Sequence, residues 1–319
     1  MNILCRKLGL EYPMLQGGMG NVSHPNLTAA ISEAGGLGTL GAGTMTPAEL
    51  EEKIIGVKEK TDKAFCMNIP ITVQPYFEEI VDLVFKHKIP VVSLSAGNPV
   101  PLIPKFQEKG IKVICVVASV KQAIKVDRAG ADVIVGEGYE AAGINSNFET
   151  TTLTLIPQIV NVVEAPVVAA GGIGDGRGLL AMLSLGASGV QMGTRFIATK
   201  EALVHDNYKQ LITDAGDTDT VIVGRSVGRV RRLLNTEYAN KLIEAELQGV
   251  TLEEFNEKTN EDCHIAGAIE GKLAKGHVNG GQVAGLIEDI PSVSDLLEDM
   301  MKQATAQNEA IMNNFVVRK

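Results

Sequence analysis

Short apolar runs alternate with amphipathic stretches over the first two hundred residues. The runs at 12–15, 37–40, 64–69, 90–94, 112–117, 132–135, 167–170 and 188–192 read as eight strands. Between them, apolar residues recur with helical spacing at 25–34, 76–87, 101–109, 120–129, 151–163 and 179–185, and Thr46 caps a further helix beginning at Pro47. Strands this apolar on both faces suit a parallel sheet covered by helices. The unit repeats about every 20–25 residues, and glycine closes almost every strand. Eight near-equal units predict a mixed α/β fold, a closed (β/α)8 TIM barrel. A doubly wound sheet is the rival, and it lacks support: no early G-x-G-x-x-G is followed by an acidic residue.

Beyond residue 199 the period breaks. Helical spacing appears at 200–211 and 239–246, and T-L-E-E at 251–254 is a capping box. This is more chain than one closing helix requires. The pattern divides the chain into a barrel core (1–199), a helical insertion after strand eight forming a lid or substrate subdomain (200–290), and a C-terminal helix that packs back on the barrel (291–319).

Composition narrows the function. The chain has 319 residues, 45% of them hydrophobic, ample for one large core. A net charge of −9 argues against nucleic acid as partner, although Arg225, Arg229, Arg231 and Arg232 form a local basic strip. That strip reads as a solvated or salt-bridged face, with a nucleotide or carrier-protein contact as the rival. The 4 cysteines form no C-x-x-C pair, so neither a zinc site nor a disulfide framework is expected. No apolar leader or 18-residue apolar stretch is visible, and a cytoplasmic protein without a membrane span is the expectation.

In such a barrel the reacting groups lie at the strand C-termini. Here these ends carry Gln16, Gly17, Gly18, Met19, Asn68, Ser95, Gly97, Asn98, Glu137 and Glu140, rich in glycine and amide and poor in metal ligands. No metal site and no Ser-His-Asp arrangement is expected. The last two strands each end in glycine, at Gly171–Gly172 and at Gly193–Thr194. Backbone N–H groups at two adjacent strand ends make a phosphate clamp. Such a mouth suits a flat phosphate-bearing cofactor whose own ring does the chemistry. Glu137 is a further cofactor-side candidate, its rival role being to accept from backbone amides. Among the histidines, His205, just past strand eight, is the candidate to face the mouth.

Several motifs carry a resemblance. Y-P-M-L-Q-G-G-M at 12–19, A-G-G-L-G-T-L-G at 34–41, F-C-M-N-I at 65–69, A-A-G-G-I-G-D-G-R-G at 169–178, V-Q-M-G-T-R-F at 190–196 and G-H-V-N-G-G-Q-V-A-G-L-I at 276–287 span nearly the whole chain. In this order they resemble the FMN-dependent nitronate monooxygenase (2-nitropropane dioxygenase) and enoyl-acyl-carrier-protein reductase II family. The resemblance implies FMN, its ring against Gly17, Gly18 and Met19 with Asn68 at the polar edge, and its phosphate on Gly171, Gly172, Gly193 and Thr194. The 77–99 segment and the G-H-V-N-G-G tail resemble the reductase branch more closely. That branch implies NADH or NADPH as reductant, a small-molecule or acyl-carrier-linked enoyl thioester as substrate, and a homodimer. Oxidation of nitronates is the alternative, and a flavin-binding protein without turnover the second.

One departure bears on chemistry. The family carries a catalytic histidine in the loop after strand six, where this chain reads E-A-A-G-I-N-S-N, with Ile144 in its place. Isoleucine cannot take a proton or polarise a carbonyl. Asn145 and Ser146 become the candidates for the missing hydrogen bond, and water the candidate proton donor.

Overall fold

The computed structural model describes residues 2–314. An N-terminal helix α1 (Ile3–Leu8) precedes six strands, β1 (Met14–Gln16), β2 (Thr39–Gly41), β3 (Cys66–Pro70), β4 (Val91–Ser95), β5 (Lys112–Val117) and β6 (Val133–Glu137). A two-residue strand β7 (Gly143–Ile144) stands apart, and β8 (Val167–Ala170) and β9 (Gly189–Met192) complete the set. Eight of these are parallel neighbours in the order β1-β9-β8-β6-β5-β4-β3-β2. A parallel bridge between Leu15 and Leu37 closes the ring, with Gln16 N–H donating to the Leu37 carbonyl at 2.9 Å. The TIM barrel read from the sequence is the observed architecture, and the fifth and seventh strands have the expected bounds.

The two-faced apolar runs now have a reason. Leu15, Cys66, Val91, Ile114, Val133 and Val168 pack together inside the barrel. Their chain neighbours Met14, Met67, Val92, Val113, Ile134 and Val167 pack outward under the helices. The period of two is present, but both faces are dry. The covering helices are α2 (Pro25–Glu33), α3 (Pro47–Lys58), α4 (Phe77–Lys86), α5 (Ile103–Gln107), α6 (Val120–Arg128), α7 (Thr152–Val160) and α8 (Gly176–Ser184). Thr46 caps α3 as expected, and Glu49 completes a capping box with it. Helix α7 stops at Val160, short of the expected 163, with Pro157 in its last turn.

Helix α1 was not foreseen. Its Leu4 and Leu8 join the interior cluster and plug the N-terminal end of the barrel, a burial worth roughly 1.5–3 kcal/mol per side chain. The plug docks on Gly189, where a Cβ would lie 2.4 Å from Leu4 Cδ2. Gly189→Val would therefore unseat it. The barrel thiols are inert: burial pushes the Cys115 thiol up to about 12 and Cys66 higher still.

The insertion over the mouth is not all helix. After the short α9 (Thr194–Ile197) come α10 (Asp206–Thr213), strands β10 (Thr220–Val223) and β11 (Arg231–Leu234), and helices α11 (Glu237–Leu247), α12 (Leu252–Lys258) and α13 (Glu261–Ala268). The helix expected from residue 200 starts only at Asp206, where His205 accepts from Asn207 N–H as its cap. β10 and β11 form an antiparallel hairpin, and β7 pairs on its β11 edge. The loop after β6 is thus the third strand of a lid sheet. The final helix α14 (Val293–Asn314) returns to lie along α8. Among the described residues, no helix is long and apolar enough to cross a membrane, and no group of three or more His, Cys, Asp or Glu is placed to hold a metal.

Candidate active site

A cavity of about 650 Å³ opens at the C-terminal end of the barrel, within the usual range for small-molecule sites. It has a barrel wall made largely of backbone and a lid wall made of side chains.

The barrel wall brings together the predicted glycines, Met19, Asn68, Glu137 and Thr194. Gly17 N–H donates to the Met192 carbonyl at 2.9 Å, tying the ends of β1 and β9. A Cβ on Gly18 would fall 2.2 Å from Asn68 Oδ1, so glycine alone admits that amide. Asn68 is locked from below: its Nδ2 donates to the Ser93 carbonyl and the Ser95 hydroxyl, both at 3.2 Å. Its Oδ1 is turned to the Gly18 turn.

Gly171 and Gly172 leave β8 with φ of 103° and 76°, the left-handed region that favours glycine. A Cβ on Gly193 would meet nothing within 4 Å, because the space before it is the cavity. Buried Thr194 accepts from Gly281 N–H at 3.0 Å, which leaves its own hydroxyl proton to donate. The remaining glycines of the G-G-I-G-D-G-R-G run serve packing. A Cβ on Gly174 would strike Val283 at 2.6 Å, and one on Gly176 the Met300 carbonyl of α14 at 2.4 Å.

The two acidic residues after β6 divide their roles. Glu137 is half-buried and faces the cavity, and desolvation there pushes its carboxyl up to about 7. Glu140 accepts from Thr152 N–H at 2.9 Å and holds the start of α7.

The loop bearing Ile144 is fastened rather than free. Asn145 Nδ2 donates to the carbonyls of Tyr139 at 3.2 Å and Ala141 at 3.0 Å, and its Oδ1 accepts from Ser146 N–H. Ser146 Oγ accepts from Phe148 N–H at 3.1 Å. Both residues line the cavity, yet the Asn145 amide is fully engaged in holding the loop.

The arginine strip splits in two. Arg225 pairs with Glu149 at 2.7 Å and donates to the Tyr139 hydroxyl. Arg232 lies 4.8 Å from the Tyr139 ring centroid and donates to the Tyr139 carbonyl at 3.1 Å. These two clamp the loop, as a salt-bridged face would. Arg231 points the other way, as strand alternation requires. It lies opposite Ile144 in the β7–β11 register, and both line the cavity.

The lid adds a cluster that the sequence reading missed. His264 Nδ1 lies 3.4 Å from Glu261 Oε1, and its Nε2 lies 3.2 Å from Asn279 Nδ2. Its ring stacks on His277 at 5.2 Å. Burial, with the nearby His264 and Arg231 charges, lowers His277 well below the ordinary histidine range and keeps it neutral. Burial works to raise the Glu261 carboxyl, but the His264 hydrogen bond and charge and the Asn21 N–H outweigh it and hold it low. Asn279 stands over Gly143, where a Cβ would come within 3.5 Å of its amide, and the Tyr208 hydroxyl anchors its carbonyl at 2.5 Å. The Asn279 Oδ1 is buried without a partner. His205, expected at the mouth, caps α10 beside Gly271 instead. The one advance signal was the i, i+3 spacing of Glu261 and His264, which sets both on one helix face.

The barrel wall fits a flavin phosphate. The Gly193 space, the turned Gly171–Gly172 backbone and the spare Thr194 proton are a cradle of neutral donors, and the Gly17–Met19 turn offers a flat strip beside the Asn68 amide.

Comparison with known proteins agrees over the full length. A family model described as nitronate monooxygenase matches residues 2–303. A probable nitronate monooxygenase of Staphylococcus saprophyticus is 34% identical, covering 93% of this chain and 96% of that protein. A Rhodococcus jostii (3aS,4S,5R,7aS)-5-hydroxy-7a-methyl-1-oxo-octahydro-1H-indene-4-carboxyl-CoA dehydrogenase is 33% identical, covering 97% of each. The solved structure of FabK from Thermotoga maritima superposes with a TM-score of 0.91 at 40% identity, covering 99% of both chains.

Proposed function

Because the chain belongs to the nitronate monooxygenase family and is a flavin-dependent oxidoreductase, we propose that it binds FMN and reduces the double bond of an enoyl thioester, with NADH or NADPH as reductant. The observation that carries this reading is the full-length likeness to FabK, an enoyl-acyl-carrier-protein reductase II, at 40% identity. A second thioester enzyme among the relatives, the Rhodococcus carboxyl-CoA dehydrogenase, points to the same substrate class.

FMN, when bound, supplies a ring that accepts and releases hydride. The residues of this chain do the rest. Gly171, Gly172, Gly193 and Thr194 would hold the phosphate, and the Gly17–Met19 turn with Asn68 would orient the ring. The lid covers part of the cavity mouth through Ile144, Asn279 and the β7–β11 pairing. The loop after β6 offers no free acid, since Asn145 is committed to backbone carbonyls. With Ile144 carrying no proton and the Asn145 amide engaged, this reading takes water as the proton donor to the α-carbon.

Nitronate oxidation is the second reading, favoured by the name of the Staphylococcus relative. Anaerobic assay separates them. A thioester reductase oxidises NADH or NADPH with crotonyl-CoA in the absence of oxygen. Oxygen uptake with a nitronate, together with no anaerobic turnover, would replace the first reading by the second.

A further inference from the structure

Arg231 is a buried-side cation with nothing to bind. Arg225 and Arg232, its neighbours in the strip, are both spoken for by Tyr139 and Glu149. Among the described residues, no carboxylate forms an ion pair with Arg231 and no side chain hydrogen-bonds to it; Glu261 and Arg229 act on it only through space. Glu261 itself is turned to Asn21 N–H and His264. A guanidinium carries five N–H donors; Arg231 is half-buried, and with no protein acceptor on them these donors are free to meet a ligand in the cavity it lines.

The position is imposed by pairing. Arg231 and Ile144 are directly opposite in antiparallel strands, so their side chains share one face of the lid sheet. That face forms the cavity wall opposite the glycine-lined strand ends. Arg231 thus presents a planar, bidentate donor beside an apolar side chain, in the lid wall rather than the phosphate cradle.

We propose that Arg231 is the substrate-side anion receptor of this enzyme, binding the oxygen that carries negative charge beside the reacting carbon. Resting on the thioester reading, this assigns Arg231 to the thioester oxygen, which becomes an enolate oxygen as hydride reaches the β-carbon. The same planar arrangement would suit the two oxygens of a carboxylate. Arg231 is then a residue that favours the charged transition state over the neutral ground state.

The test uses the flavin-loaded full chain and an inert probe. Butyrate and its neutral analogue butyramide are titrated by the change they cause in flavin absorbance, in the native protein, Arg231→Lys and Arg231→Met. Native protein should prefer butyrate. Arg231→Met should bind butyrate about ten- to a hundredfold more weakly, with butyramide unchanged and Arg231→Lys in between. With crotonyl-CoA, Arg231→Met should lose kcat far more than it raises KM, and guanidinium ion should restore part of the loss. Equal binding of butyrate by native protein and Arg231→Met, at unchanged flavin content, overturns the proposal. So does native protein that binds butyrate no better than butyramide. If native protein binds butyrate through Arg231 yet never reduces crotonyl-CoA, the receptor stands and the thioester reading falls.

Discussion

The two walls of the cavity are built on different principles. The barrel wall uses backbone: glycines at three strand ends, one hydroxyl and one amide, each position dictated by the strand that precedes it. The lid wall uses side chains from four separate segments, with Ile144 on β7, Arg231 on β11, Glu261 and His264 on α13, and Asn279 beyond. The first wall is largely backbone, with Glu137 as its one carboxyl, and suits a cofactor that every turnover shares. The second holds Arg231, Glu261 and His264, and in the proposed reading it is the wall that meets the substrate. A backbone cradle tolerates drift in the surrounding side chains, whereas a side-chain wall can be rebuilt residue by residue.

The largest expected effect should fall on the barrel wall alone. Gly193 has φ −117° and ψ −68°, so another residue fits without strain. Gly193→Asp puts a carboxylate where the phosphate belongs. Like charges in contact cost several kcal/mol, so flavin affinity should fall on the order of a hundredfold or more. The ratio of flavin to protein absorbance after purification, with unchanged circular dichroism, reads this directly. Full flavin content in the variant would show that the phosphate lies elsewhere.

A smaller effect should mark the lid wall. Asn279→Leu removes the amide from His264 Nε2 and leaves that nitrogen unpaired, a loss of about 1–3 kcal/mol if not rehydrated. Flavin content should hold while kcat/KM for crotonyl-CoA drops roughly tenfold. Loss of flavin in this variant would mean that the walls are not independent.

The third effect is on stability rather than turnover and belongs to Glu137 on the barrel wall. Its folded carboxyl titrates at about 7 against an ordinary 4.5. The unfolded chain therefore gives up this proton first, and native stability falls as pH rises from about 4.5 to about 7. Glu137→Gln should match the native flavin-free protein below that window and exceed it above. Urea midpoints at about pH 4 and about pH 8, either side of the window, check this. A gain that is larger at the lower pH would refute the burial of the carboxyl.

What could be read ahead of the structure was local. Thr46 with Glu49 and Thr251 with Glu254 announced helix starts because a capping box lies within four residues of chain. Gly171, Gly172, Gly193 and Thr194 could be placed together at the barrel mouth because each follows directly on a strand end. Locality also misled. Gly174 and Gly176 sit in the same run but make room for Val283 and α14, contacts more than a hundred residues away in sequence. β10 and β11 were passed over because each is short and one is half arginine, so their apolar pattern is visible only once they pair.

By itself, then, the sequence determined the barrel and which residues line its mouth from the strand ends. Both follow from periodic burial and from backbone freedom at strand ends, properties that neighbouring residues specify together. Tertiary structure decided the lid wall. A one-residue slip of β11 against β7 would exchange Arg231 and Arg232, turning the free guanidinium out and the clamping one in. No pattern along the chain specifies that register. It is set by the Arg232–Tyr139 contact and by Leu233 and Leu234 packing beneath the lid, which exist only when the segments meet.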